Sequence, residues 1–386
     1  MHLSGFDIDG FLSDIWQQRP LLIRNPWNHW GNPLRPDDLA GLACEPEVES
    51  RLVVKSGDSW KLENGPLPAE RFGQLGGDPW TLLVQAVDHH VPEVAALLEC
   101  FRFIPNWRVD DVMVSYAEDG GGVGPHFDNY DVFLVQGLGR RRWQIGARCD
   151  AATELLPHPD LRLLTQFEAL EEWVLEPGDM LYVPPGIAHD GVAVGDDCMT
   201  YSIGFRAPSR GELIAGWAQS LLAEMGEQGE DDRYRDPDLG LQDNPGEITP
   251  DAIADLHAMV AEKLSDRAGF ARWFGRYATA PKNPEIDWQP EQPVDRDEIE
   301  RMLAEGIPLL RNPATRFAFV RERPGALMLY VDGEGFECHG DAAQFGEQLC
   351  AKDRLSVEPE LANADAVIDL LADLADQGSV AFDTNG

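Results

Sequence analysis

The chain of 386 residues is long enough for two or three domains, and its 43% hydrophobic content can fill sizeable cores, which excludes a disordered chain. Its 68 acidic against 31 basic residues leave a formal charge of -37, a field that repels nucleic acid and complements a basic partner, although acidity also serves solubility and does not choose a partner by itself. No uninterrupted apolar run approaches the roughly 18 residues of a membrane span, and the opening MHLSGFDIDGFLSDIW carries acidic side chains with no basic cluster ahead of an apolar core, so a cytoplasmic protein without a membrane partner is expected.

Up to about residue 208, short β-rich runs alternate with Gly, Pro and Asp: RPLLIRNPW, SRLVVKSGDSWKLENG, WTLLVQAVD, VDDVMVSYAE, DVFLVQGLG, RRWQIGA, EEWVLEPGDMLYVPPG and MTYSIGFRAP. Strands at that spacing predict a sandwich or barrel. Helical patterns at DDLAGLACEP and PEVAALLECF add an α-rich flank. The six cysteines, Cys44, Cys100, Cys149, Cys198, Cys338 and Cys350, include no close-spaced pair, which argues for reduced core residues rather than disulfides or a zinc knuckle.

The texture changes at Pro208. Ser209 can cap a helix carrying Leu213, Ile214, Trp217, Leu221 and Met225, and GEQGEDDRYRDPDLGLQDNPGE reads as a polar linker. Thr249 and Pro250 start a second helix with a stripe of Ile253, Leu256, Met259, Val260 and Leu264, and FARWFGRY continues into a third. Such helices over 209–280 form either a packed subdomain or an oligomerisation unit. After APKNPEIDWQPEQPVD, residues 295–386 read helix, three strands, two helices and a last strand, an order that resembles a winged helix. With 19 acidic and 8 basic residues this segment suits protein contact better than DNA reading.

The chemistry concentrates in GGGVGPHFDNYDVFLVQGLGRRRW. His126 and Asp128 are two residues apart, and on a strand such side chains share a face and one metal. Downstream, PGDMLYVPPGIAHDG ends a strand in a Pro-Pro-Gly turn that delivers His189, 63 residues after His126. Two histidines and one carboxylate on one face of a metal leave three positions open, as in non-haem iron(II) oxygenases. An isolated HxD is a chance pattern. Its weight comes from the glycine-rich approach and the PGD to PPG to His return, which fit the facing strands of a double-stranded β-helix. In RRRWQIG read as a strand, Arg141, Trp143 and Ile145 share the inner face, so Arg141 points into the barrel and needs a carboxylate there, while Arg140 and Arg142 read as surface residues paired with acids.

These stretches, together with YSIGFRAP, WQQRPLLIRNPW and NWRVDDVMVSYAEDGGGVGPH, resemble the JmjC-type ribosomal oxygenases, densely to about residue 208 and more weakly beyond. The resemblance implies an α+β chain: a double-stranded β-helix (cupin/JmjC jelly-roll) barrel in 1–208, a helical dimerisation region in 209–280, and a winged-helix-like domain in 295–386. It implies iron(II) on His126, Asp128 and His189, with 2-oxoglutarate and dioxygen as cosubstrates. Arg141, the middle arginine of RRR, and Ser115, the serine of the MxS strand, would receive the distal carboxylate of 2-oxoglutarate. Within the family the nearest branch hydroxylates the β carbon (C3) of an arginine in a large-subunit ribosomal protein, so a basic ribosomal protein is the expected partner, with no direct nucleic-acid binding.

An arginine substrate calls for carboxylates and aromatic faces at the barrel mouth, for which Asp110, Asp111, Asn129 and Tyr130 are the candidates. Asp131 is expected to cap a turn or pair with Arg140. Histidine hydroxylation or lysine demethylation on the same core, and a non-catalytic adaptor, stay open beside arginine hydroxylation. His89, His90, His158 and His339 have no partner at ligand spacing and read as structural.

Overall fold

The computed structural model describes residues 2–57, 59–228, 233–241 and 243–384, so the linker GEQGEDDRYRDPDLGLQDNPGE lies partly outside the described residues, at 229–232 and 242. The chain enters through α1 (Ile8–Asp14), whose N-cap Asp7 accepts the Gly10 N–H at 3.0 Å. It continues through β1 (Leu21–Ile23), α2 (Pro36–Leu42), the hairpin of β2 (Ser50–Ser56) and β3 (Ser59–Asn64), the short α3 (Ala69–Phe72), β4 (Trp80–Val84), the short α4 (Pro92–Ala95) and β5 (Val109–Ala117). Two long strands, β6 (Asp131–Arg148) and β9 (Ile187–Phe205), then run antiparallel end to end, with β7 (Glu171–Leu175) and β8 (Met180–Val183) between them in sequence.

The strand order is β1-β8-β6-β9-β5-β4-β2-β3, with β7 against the second half of β6. DVFLVQGLG and RRWQIGA, read as two strands, are thus one. Register shifts on both sides of Leu138 and the left-handed Gly139 (φ 58°) bend β6, which pairs with β8 before the bend and with β7 after it. Alternation along β6 divides two cores. Val132, Leu134, Trp143 and Ile145 face Leu175, Leu181, Val183 and Ile187 inside the barrel, whereas Phe133 and Val135 face outward onto Phe11, Phe101, Tyr182 and Phe205 beneath the N-terminal helices.

Residues 120–126 close the barrel beside the first half of β9. Gly120 N–H donates to the Ala193 carbonyl (3.0 Å), Ala193 N–H to that of Gly121 (2.8 Å), and His126 and His189 exchange both backbone bonds (3.0 and 2.8 Å). The approach is too tight for a side chain: a Cβ on Gly122 would lie 2.4 Å from the Gly191 carbonyl oxygen, and one on Gly121 would lie 2.2 Å from that of Trp80.

Beyond the barrel come α5 (Arg210–Gln228), α6 (Pro250–Leu264) and α7 (Arg267–Thr279). The C-terminal unit follows: α8 (Arg296–Ala304), β10 (Leu309–Arg311), β11 (Phe317–Arg323), β12 (Ala326–Val331), β13 (Glu334–His339), α9 (Asp341–Ala351), β14 (Arg354–Leu355), α10 (Pro359–Ala362), α11 (Asp365–Asp376) and β15 (Val380–Phe382). It has its own core, around Leu329, Phe345 and Leu371. β10, β14 and α10, of two to four residues, are too short to leave a periodic signal and were not expected from sequence. The helix read over PEVAALLECF is broken into α4 and a 3-10 turn at Leu98–Phe101. Among the described residues no helix is long and apolar enough to cross a membrane.

Asp131 neither caps a turn nor meets Arg140. Lying on the outward face of β6 with Phe133, it is fully buried and accepts from Arg108 Nη2 (2.8 Å), Gln17 Nε2 (2.8 Å) and Tyr182 OH (2.6 Å), tying the N-terminal segment to the barrel. Removing that charge strands the Arg108 guanidinium, so Asp131→Asn should cost about 3–5 kcal/mol of unfolding free energy in urea titration, with part of the loss recovered in Asp131→Asn/Arg108→Leu. A loss under about 1 kcal/mol would contradict the assignment.

Candidate active site

His126 sits at a single β-bridge, and residues 127–130 that follow are irregular, so the strand parity expected for His126 and Asp128 is replaced by bridge and bend geometry. The side chains still converge. The donor atoms of His126, Asp128 and His189 all lie within 4.8 Å of one another, with Asp128 Oδ2 at 4.0 Å from His126 Nε2 and 3.6 Å from His189 Nε2. Both imidazoles are aimed by the backbone: His126 Nδ1 is 2.8 Å from the Gly124 carbonyl and His189 Nδ1 is 2.9 Å from that of Ile187, which turns each Nε2 inward. The Asp128 carbonyl accepts the N–H of Gly186 (2.7 Å), the left-handed glycine (φ 77°) of the Pro-Pro-Gly turn. Burial first, and then neighbouring His126, hold the His189 imidazole well below its ordinary pKa, so it is neutral and ready to coordinate at neutral pH.

Arg141 is 5% exposed, and its Nε and Nη2 have no hydrogen-bond partner among the described residues. Its neighbours in the sequence differ: Arg140 is exposed and Arg142 half-buried, and neither forms an ion pair among the described residues, against the expectation of acidic partners. Ser115, 2% exposed on β5, has only a loose 3.5 Å contact to the Thr200 carbonyl. Ala117, on the same face of β5, packs with Ala193, the register partner of Arg141, which places Ser115 and Arg141 on one interior.

The mouth candidates divide. Asn129 and Tyr130 are exposed on the rim, and loss of solvation first, then the neighbouring Asp128 carboxylate, raises the pKa of the Tyr130 phenol. Asp110 pairs with Lys282 Nζ (3.0 Å) and Arg316 Nη2 (2.9 Å). Asp111 is buried, and its Oδ2 accepts from Gln85 Nε2 (2.7 Å), Ala86 N–H (2.8 Å) and Lys282 Nζ (3.0 Å), whereas its Oδ1 has no partner among the described residues. Oδ1 and the Tyr130 ring flank the same spot, each 3.9 Å from the Cβ that Gly204 lacks. Lys282 lies in a stretch that reads as linker; nothing in its local sequence marks it as the partner of two acids 170 residues away. Beneath them, burial and the neighbouring Asp111 push the Asp88 carboxyl up to about 8. His89 and His90 belong to a 3-10 turn and its cap, and His158 caps its own turn through Nδ1.

Two imidazoles and a carboxylate whose donor atoms converge on one spot fit iron(II), and a buried guanidinium whose Nε and Nη2 have no partner among the described residues fits the far carboxylate of a metal-chelating dicarboxylate. On a double-stranded β-helix, this combination defines the JmjC-type iron(II)- and 2-oxoglutarate-dependent oxygenases. Comparison with known proteins agrees. Residues 96–213 match the JmjC domain family and residues 262–381 the ROXA-like winged helix. The chain is 42% identical over 302 residues to the ribosomal protein uL16 3-hydroxylase of Escherichia coli (strain K12), covering 78% of this chain and 79% of that protein. It is 36% identical over 341 residues to a probable ribosomal oxygenase of Haemophilus influenzae, covering 84% and 80%. The structure of YcfD, a ribosomal oxygenase from Escherichia coli, in complex with cobalt and 2-oxoglutarate superposes with a TM-score of 0.87 at 35% identity, over 99% of this chain and 100% of that one. The chain belongs to the JmjC ribosomal oxygenase family.

Proposed function

We propose that this chain is an iron(II)- and 2-oxoglutarate-dependent hydroxylase acting on the β carbon (C3) of an arginine in the large-subunit ribosomal protein uL16. The observation that carries the reading is the presence, in one barrel, of a two-histidine, one-carboxylate face and an unpartnered buried guanidinium. His126, Asp128 and His189 hold the iron; Arg141 and Ser115 receive the distal carboxylate of 2-oxoglutarate. Iron, 2-oxoglutarate and dioxygen supply the oxidation, in which a substrate C–H becomes C–OH while 2-oxoglutarate becomes succinate and carbon dioxide. The protein's part is to orient and to exclude water, for which Val132, Leu134, Leu181, Val183 and Ile187 form an apolar wall.

Arginine is supported over histidine as substrate by Asp111 and Tyr130. Oδ2 of Asp111 is locked by three donors, which leaves Oδ1 to accept from a guanidinium beside the Tyr130 ring. Asn129 stands on the rim, and Asp110 supports the receptor from behind through Lys282. The -37 charge suits steering of a basic ribosomal protein and disfavours direct nucleic-acid binding. Action on a ribosomal protein supports a cytoplasmic location. A homodimer is supported by α6, which buries none of its residues and presents Ile253 (54% exposed), Leu256, Val260 (60%) and Leu264 along one face, beside Ile214 and Leu222 of α5.

Anaerobic addition of iron(II) and 2-oxoglutarate should produce the weak visible charge-transfer band of the chelate. His126→Ala should abolish it, and Arg141→Gln should keep the metal while weakening 2-oxoglutarate by roughly 100-fold, the worth of a bidentate charged contact of about 3 kcal/mol. Unchanged cosubstrate affinity in Arg141→Gln would remove its assigned role.

Mass spectrometry of uL16 incubated with the enzyme should locate a gain of one oxygen, about 16 Da, on an arginine. Asp111→Asn should lower kcat/KM for that substrate by roughly 10- to 100-fold with little change in 2-oxoglutarate binding; oxygen found on a histidine instead would reject the arginine assignment.

For the dimer, sedimentation at two concentrations should give twice the chain mass, and Val260→Glu should shift it to monomer. A wild-type monomer at every concentration would refute the dimer.

A further inference from the structure

Among the described residues, Arg141 is not alone in the barrel interior as a buried polar group without a partner. Trp143 stands on β6 two residues after Arg141, on the same face and 5% exposed, and its indole N–H, like the Nε and Nη2 of Arg141, meets no acceptor. Its ring lies between the two ends of the site: the centroid is 5.7 Å from the Arg141 guanidinium carbon and 5.9 Å from the His189 ring. The position of the ring is imposed by β9. At Gly191, the register partner of Trp143, a Cβ would fall 2.5 to 2.8 Å from three carbons of the benzo edge, so this edge lies flat against the strand. The pyrrole edge with its N–H is the opposite one, turned away from Gly191.

Packing alone does not call for this residue. A phenylalanine would present the same kind of apolar face to Ile145, Leu175 and Val183 and would bury no donor, whereas an indole N–H shut away from water without an acceptor is a net cost. The cost disappears when an acceptor enters. A dicarboxylate stretched from the metal face to Arg141 passes over this ring, and its oxygens are acceptors only.

We propose that Trp143 is a cosubstrate-binding residue: its indole N–H donates to an oxygen of bound 2-oxoglutarate, and its ring steadies the Arg141 guanidinium by cation–π contact in the orientation that pairs with the distal carboxylate. The assignment rests on His126, Asp128, His189 and Arg141 forming the iron and 2-oxoglutarate site described above.

The test uses the full chain loaded with zinc(II), which is diamagnetic and does not turn over, and labelled with nitrogen-15 at the tryptophan indoles. The Trp143 signal is identified by its absence in Trp143→Phe. Addition of 2-oxoglutarate should move that indole resonance downfield and slow its exchange with solvent. By calorimetry, Trp143→Phe should bind zinc as the wild type does and 2-oxoglutarate roughly 10-fold more weakly, and Trp143→Leu, which also removes the ring beside Arg141, more weakly still. An indole signal that stays in place while the wild type binds 2-oxoglutarate, or a Trp143→Phe variant of wild-type affinity, would overturn the proposal with the oxygenase reading intact. Failure of the zinc-loaded wild type to bind 2-oxoglutarate at all would overturn both.

Discussion

The site depends on one short piece of backbone pairing. His126 and His189 trade N–H···O bonds in both directions, at 3.0 and 2.8 Å, which brings a residue from the closing segment of the barrel and one from the start of β9 into contact across 63 positions of sequence. With the two Cα atoms set by that bridge, each imidazole needs only its Nδ1 bond to a nearby carbonyl to point Nε2 at a common point. The third ligand is fastened to the same frame, because the Asp128 carbonyl holds the N–H of Gly186 in the turn that precedes His189. Even Asp128, in the irregular segment 127–130, is thus tied by a backbone bond to the frame that holds the two histidines, which is how a site keeps its geometry.

The glycines follow from this pairing. Gly121 and Gly122 lie where any Cβ would collide with a carbonyl oxygen, Gly191 where one would collide with the Trp143 ring, and Gly186 where the chain must adopt a left-handed turn. Closeness of backbones is the reason for Gly121 and Gly122, and a left-handed backbone the reason for Gly120 (φ 77°). Burial keeps His189 neutral and makes a guanidinium at Arg141 without a partner among the described residues costly until a carboxylate arrives.

How much of this was legible in the sequence depended on how local the cause was. Alternation in RRRWQIG picked Arg141 as the inward arginine, because side-chain direction on a strand repeats every two residues whatever the strand pairs with. His126, Asp128 and His189 were readable as residue types at a known spacing, although the geometry that unites them is a bridge and a turn rather than the strand expected. What stayed hidden was long-range pairing of charges. Asp131 gave no sign that its partners would be Gln17, Arg108 and Tyr182, and Lys282 looked like part of a proline-flanked linker. Likewise β6 looked like two strands, since Gly137 and Gly139 carry ordinary turn signals and only the continuous pairing with β9 bridges them.

Lys282 also explains what the C-terminal unit contributes to the site. It bonds Asp110 and Asp111 together, while Arg316 of the winged helix takes the other oxygen of Asp110 and the backbone carbonyl of the same residue. The start of β5, where the proposed guanidinium receptor lies, is thereby braced from outside the barrel. Farther along the contact, Arg102 on the barrel side bridges Glu99 and Asp353. Six of the eight basic residues of 295–386, namely Arg296, Arg301, Arg311, Arg316, Arg321 and Arg354, are engaged by carboxylates of this chain. Five of these pairs lie within the unit, and the sixth, Arg316 on Asp110, ties the unit to the start of β5.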